Sequence, residues 1–165
     1  MYLLFLLWTG LFGNEKNIQN ESELTQMIFL QVNQERREHR LDTLIWNDDL
    51  GRSTQNHASE MAKHNFFSHY NSINKRFYSP SDRMKYYGYL YQINGETNGT
   101  QTYSLEILPS KSQIARKNID AWKKSKVHAD IIFSPQYRET AVSVVSVMIS
   151  PNVIKYYIVQ NFGSR

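Results

Sequence analysis

Between Ser22 and Arg40 the apolar positions Leu24, Met27, Ile28 and Val32 recur at three and four residues, the spacing of one buried helix face, and Ser22 stands where a capping hydroxyl belongs. Asn47 followed by Asp48 and Asp49 marks a second helix start: an amide oxygen can take a free N–H of the first turn, and carboxylates favour the positive end of the dipole. Leu50, Thr54, His57, Ala58, Met61 and Ala62 form the inward face of that helix, which should fray before Phe66. Ser79, Pro80, Ser81 and Asp82 open a short helix carrying Arg83, Met84 and Tyr87, closed by Gly88. A strand is expected over residues 89–93, and a loop or strand end over the glycine- and threonine-rich stretch 95–102. Ser110 and Ser112 cap a further helix, with Ile114, Ala115, Ile119 and Trp122 inward, that stops before Val127. Residues 140–149 and 153–159 are dense in β-branched and aromatic side chains and flank Ser150, Pro151 and Asn152, which predicts an antiparallel hairpin. Helices first and a hairpin last give an α+β class of layered helices and sheet.

The chain has 165 residues, 41% hydrophobic and 21% charged, which suits one domain with a real core and lies far from the profile of disorder. It contains no cysteine, so disulfides, thiolate metal sites and a catalytic thiol are excluded, and any metal must be held by nitrogen and oxygen. A net charge of +4 is mild and its basic residues are scattered, with no ladder of aromatic and basic side chains; no nucleic-acid partner is expected. A monomer is expected. Heavy use of Asn, Ile, Lys and Tyr points to an AT-rich bacterial genome such as a spirochaete's.

Residues 1–13, MYLLFLLWTGLFG, form an uncharged apolar run too short to span a bilayer and matching the hydrophobic part of an export signal, although the first Lys is Lys16. The alternative is a helix packed on the domain. Leu11, Phe12 and Gly13 resemble the end of a bacterial lipoprotein signal, but Asn14 stands where the lipid-bearing cysteine belongs. Residues 14–21 read as a polar tether, and 22–165 as the folded domain.

TLIWNDDL at 43–50, NHASEMAKHNFFSH at 56–69, DRMKYYGY at 82–89, NGETN at 94–98, WKKSKVH at 122–128 and VQNFG at 159–163 fall in an order and spacing that resemble the CAP superfamily. That superfamily comprises cysteine-rich secretory proteins, antigen 5 and plant pathogenesis-related 1, and the likeness, over about residues 24–163, is to its compact bacterial (SCP-like) branch. The resemblance implies a three-layer α-β-α sandwich with a central antiparallel sheet, an exported or cell-surface location, and a cleft lined by two His and acidic residues. Carried over by position, the cleft histidines are His69 and His128 and the carboxylate is Glu96. Ser125 stands where many eukaryotic members have an acid, Lys126 and Val127 where bacterial members have proline and glycine, and Thr97 where the family has asparagine.

Two neutral imidazoles and a carboxylate are a sufficient set for Zn²⁺ with a position left for water, so His69, His128 and Glu96 are candidate metal ligands; no local spacing signature such as HExxH supports this. The other reading is a trio that hydrogen-bonds internally and fixes loops. His57 is read as core, His39 and His64 as solvated helix-end residues, and Trp46 and Trp122 as core anchors. Arg83, which matches a family arginine, is expected to pair with a carboxylate or carbonyl in a structural role. The tyrosine-rich stretch from Tyr70 to Tyr91 suits a surface that meets glycans, lipids or proteins, and equally a half-buried face.

The resemblance implies a non-enzymatic binding module that engages a lipid, a sterol or a host or envelope protein through its cleft or a flanking groove, since family members are linked to lipid binding, defence and virulence; membrane association is expected only through a leader or anchor. The alternative is a hydrolase in which His69, Glu96 and His128 are the catalytic candidates, with Zn²⁺-bound water or a histidine base; no plausible nucleophile stands out.

Overall fold

The computed structural model describes residues 17–165; the apolar leader at 1–13 and the first residues of the expected tether lie outside them. Strand β1 (Ile18–Asn20) leads into helix α1 (Ser22–Glu38), then β2 (Ile45–Trp46), α2 (Asp48–His64), α3 (Pro80–Tyr86), β3 (Ile93–Ser104), α4 (Lys111–Lys124), α5 (Lys126–Ile132), β4 (Glu139–Ser150) and β5 (Val153–Ser164). The sheet runs in the order β1-β4-β5-β3, antiparallel throughout, with the two-residue β2 added parallel to β4 on the edge that also receives β1.

Alternation along the hairpin strands sorts the core into two layers. Val142 and Val144 of β4 and Tyr156, Ile158 and Phe162 of β5 face α1 and α4, where they meet Leu24, Ile28, Val32, Ile114, Ile119 and Trp122. Val145, Val147, Tyr157 and Val159 face α2 and meet Ala58, Met61 and Ala62. Leu50, Met84, Tyr89 and Ala141 form a smaller cluster where α3 joins α2. Each fully buried aliphatic side chain contributes about 1.5–3 kcal/mol. The three-layer α-β-α sandwich is therefore present, and no helix among the described residues is long and apolar enough to cross a membrane.

The helix starts follow the capping chemistry. Asn47 Oδ1 accepts from the N–H groups of Asp49 and Leu50, Ser79 and Asp82 close a capping box with Pro80 at the first turn, and Ser110 does the same with Gln113. At α1 the cap position is Glu21, without a side-chain bond, and Ser22 is already helical. Gly88, at φ 92°, ends the α3 region as expected.

Five expectations change. Residues 18–20, placed in the tether, are a strand: Ile18 packs on the α2-side cluster, and Gln19 and Asn20 pair with Ser146 and Val145, burial and a ladder outweighing local polarity. Residues 95–102 are the middle of a twelve-residue strand, and residues 89–92 are not strand. The glycines that suggested a loop serve close approach instead: a Cβ on Gly99 would run into the Asn118 amide of α4. The helix expected to stop before Val127 does break at Ser125, in extended conformation, but the chain resumes as α5 and carries His128. Trp122 is buried, whereas Trp46 is 38% exposed and not a core anchor.

Candidate functional site

α2 ends on Asn65, whose left-handed backbone (φ 53°) turns the chain, and Tyr157 donates to Asn65 Oδ1 at 3.1 Å. The following segment, 66–78, carries His69 and only one short 3₁₀ turn, so side chains must satisfy its main chain. His57 Nε2 donates to the Ser68 carbonyl at 2.7 Å, and Asn98 Nδ2 of β3 reaches the same carbonyl at 3.2 Å. Asn71 accepts from the N–H groups of Ile73 and Asn74 and donates to Glu60. Arg83 of α3, fully buried, donates to the carbonyls of Phe77 (3.0 Å), Tyr78 (3.3 Å) and His69 (3.1 Å).

The same guanidinium meets Glu96 Oε2 at 2.7 Å, while His69 Nδ1 meets Glu96 Oε1 at 2.9 Å. Both oxygens of a carboxylate that is only 2% exposed are thus engaged. Burial opposes ionisation of Glu96, but the His69 hydrogen bond and the Arg83 charge outweigh it and hold the carboxyl below its ordinary range. In neutral His69 the proton sits on Nδ1, facing Glu96, which leaves Nε2 as an acceptor; the imidazole is 41% exposed.

His128 approaches from α5, its ring centroid 6.3 Å from that of His69 and 6.5 Å from that of Trp122. Burial, then the neighbouring His69, lowers its pKa and favours neutral imidazole. Trp122 Nε1 donates to the Asn98 carbonyl at 2.8 Å, pinning α4 to β3 so that the break at Ser125 delivers α5 to this edge. Ser125 and His128 line a hollow of about 340 Å³ with Phe67, Asn98, Thr100 and Trp122. The fold therefore brings His69, Glu96 and His128 together across residues far apart in sequence, with Ser125 beside His128.

Glu96 has no free oxygen for a metal as arranged, and no group of three or more His, Asp or Glu side chains among the described residues is placed to hold one. Two imidazoles, with Glu96 behind His69 as the carboxylate that orients it, are what the donor set offers Zn²⁺.

His57 is core, as expected, and burial first and Arg83 second push it down to about 4; its Nδ1 is buried without a partner. His39 and His64 sit at helix ends. Arg83 pairs with both a carboxylate and carbonyls, and its part in fixing Glu96 exceeds what the sequence suggested. Asn71 and Asn98 were missed, because an asparagine in a polar stretch carries no signal of the carbonyl it will meet.

The sequence profile of the cysteine-rich secretory protein (CAP) family matches residues 29–162, and the chain belongs to that family. No curated protein matches the chain. Among solved structures, an outer surface protein of Borrelia burgdorferi aligns over 91% of this chain and 98% of its own at 14% identity and TM-score 0.70. An extracellular SCP-domain protein of Bacillus anthracis str. Ames aligns over 88% of this chain and 41% of its own at 21% identity and TM-score 0.67. A cysteine-rich secretory protein of Staphylococcus aureus Mu50 aligns over 89% and 40% at 16% identity and TM-score 0.57. The chain spans about two fifths of the Bacillus and Staphylococcus proteins, and these likenesses establish the fold.

Proposed function

We propose that the chain is an exported or cell-surface CAP-domain binding module without catalytic activity. In this reading the His69, Glu96 and His128 cluster is a fixed scaffold, and lipid membrane is engaged through the tyrosine-rich face beside it. The carrying observation is the Glu96 carboxylate, enclosed and engaged by Arg83 and His69 on both oxygens. A hydrolytic base must reach the reacting proton, and this carboxylate, 2% exposed behind Arg83 and His69, stands out of a substrate's reach. Zn²⁺, if held by His69 Nε2 and His128, would supply Lewis acidity, while the protein's own part is to orient His69 through Glu96.

Export is supported by the leader and by the extracellular and outer-surface proteins that share the fold. Membrane engagement is supported by the surface chemistry of residues 70–91. Tyr70, Ile73, Tyr78 and Tyr86 are exposed, Tyr70 and Tyr78 lie 5.2 Å apart, and Arg76 sits over the Tyr86 ring. Amphipathic rings beside basic side chains suit the boundary between headgroups and acyl chains.

Co-sedimentation of residues 14–165 with phosphatidylglycerol-containing vesicles, with and without sterol, tests this. The unmodified chain should bind, the Tyr70→Ala/Tyr78→Ala variant should lose at least tenfold, and His69→Ala/His128→Ala should retain binding. Absence of vesicle binding by the unmodified chain, or its abolition by the histidine changes alone, would overturn the reading. Turnover of a peptide and ester panel with Zn²⁺ present would establish the hydrolase instead.

A further inference from the structure

The cleft lies at the β3 edge of the sheet, and a larger hollow, about 860 Å³, lies at the opposite edge. It exists because two short strands on the outer side of β4 do not meet: β2 pairs with Glu139 and Thr140, β1 with Val145, Ser146 and Val147. Between them β4 forms a floor, partly closed from α1 by Thr25, whose hydroxyl accepts from the Val144 N–H, and by the Glu21 N–H, which donates to the Val144 carbonyl. Trp46 lines one side. Its indole is set edge-on against Phe29 at 5.5 Å and its Nε1 donates to Asp48 at 2.9 Å, so a large, partly exposed ring is held in one orientation.

Along α2 the wall is made of planar polar groups. Gln55 Nε2 donates to Asn20 Oδ1 at 2.7 Å, Asn56 and Tyr87 both line the hollow, and Arg52 is half exposed and paired with Asp49. The lining carries no positive excess: Asp48 and Glu21, the latter facing Lys111 at 3.8 Å, are acids, and Arg52 is already paired with Asp49. An anionic ligand would find no surplus positive charge. An acyl chain would match the apolar part of the lining but would strip water from the half-exposed Arg52 guanidinium and the remaining Gln55 oxygen without replacing it. A sugar ring matches what remains, since it offers an apolar C–H face to an aromatic plane and a rim of hydroxyls that both donate and accept to amides and guanidinium.

We propose that this groove binds a neutral oligosaccharide, with Trp46 as the stacking platform and Arg52, Gln55 and Asn56 as hydrogen-bonding partners. The volume falls within the range of ligand sites, about 300–1,000 Å³, and the fixed Trp46 reduces the ordering that binding requires. The groove adjoins the tyrosine-rich face at Tyr87, 5.0 Å from Tyr86, but contains none of Tyr70, Ile73 or Tyr78, so either assignment can fail alone.

Calorimetric titration of the full chain with chitotriose and with maltotriose tests it. Saturable binding of at least one, with a dissociation constant from about 0.1 to a few millimolar, is expected. Trp46→Ala should weaken it at least tenfold and Gln55→Ala, which removes side-chain bonds to Asn20 and Ser59 but no core side chain, about threefold or more. His69→Ala and Tyr70→Ala/Tyr78→Ala should leave it unchanged. No saturable heat from either sugar up to about 20 mM, or undiminished binding by both groove variants, would overturn the proposal.

Discussion

The face of the sheet under α1 and α4 and the face under α2 bury opposite sides of the same strands with different chemistry. The first is closed by large apolar side chains, with Asn33 and Arg36 placed where they reach the carbonyls of Asp42, Leu44, Ile132 and Ser134. The second mixes small apolar residues with paired hydroxyls and amides: Thr54 meets Ser143 at 2.7 Å, Asn161 donates to Ser53 at 3.0 Å, and His57 holds Ser68. Apolar packing rewards volume and tolerates sliding, whereas hydrogen-bonded pairs have one good register. The side that must present the loop bearing His69 is the side with fixed register, and the other supplies most of the apolar burial.

The strongest way to break this division is Arg83→Met, which leaves Glu96 buried without its charge partner and frees three loop carbonyls. A loss of about 3–5 kcal/mol in urea unfolding is expected. Acid comes next. The unfolded imidazole of His57 takes its proton near 6.5 and the folded one only near about 4, so the unfolded state binds more protons between those values. Stability should therefore fall as pH drops from about 6.5 to about 4, by up to about 3 kcal/mol, and level off for this group below that. Glu96, held below its ordinary range, adds a loss in the same direction as pH falls through its folded pKa. Denaturation midpoints against pH should show a shallower slope in His57→Gln.

A matched pair sharpens the contrast. Thr54→Val keeps the shape but leaves the Ser143 hydroxyl with only the long 3.4 Å contact to the Gly51 carbonyl, costing about 1–3 kcal/mol, and should move the NMR signals of the His57 ring. Ile28→Val on the other face should cost about 0.5–1.5 kcal/mol and leave the signals of His57, His69 and His128 in place. Smallest of all, Lys126→Ala removes an exposed pair with Asp130 one turn from His128 and should leave the unfolding midpoint within error.

What the chain order reveals about this fold follows from how local each signal is. Caps and stripes are written within four residues, so α2, α3, α4 and the terminal hairpin were legible, whereas the gathering of His69, Glu96 and His128 followed only from the family resemblance, since their own spacing carries no signature. β3 was not, because Gly95 and Gly99 are small for the sake of Tyr137 and Asn118, partners 42 and 19 positions away. β1 was hidden for a similar reason: its register is set by Val145 and Val147, beyond any local window. The Arg83 and Glu96 pair, 13 residues apart on different elements, shows the same limit at the site, since neither residue's neighbours announce that both will be buried.

The placement of β5 bears on how the molecule is made. It lies between β4 and β3, the last strand in sequence at the heart of the sheet. A nascent chain that has released everything up to residue 152 holds β3 with no strand partner and β4 without its hairpin mate, so sheet closure waits on residues 153–164. Until then helices can form but the sandwich cannot, so the final dozen residues of the sheet decide when the molecule becomes one body.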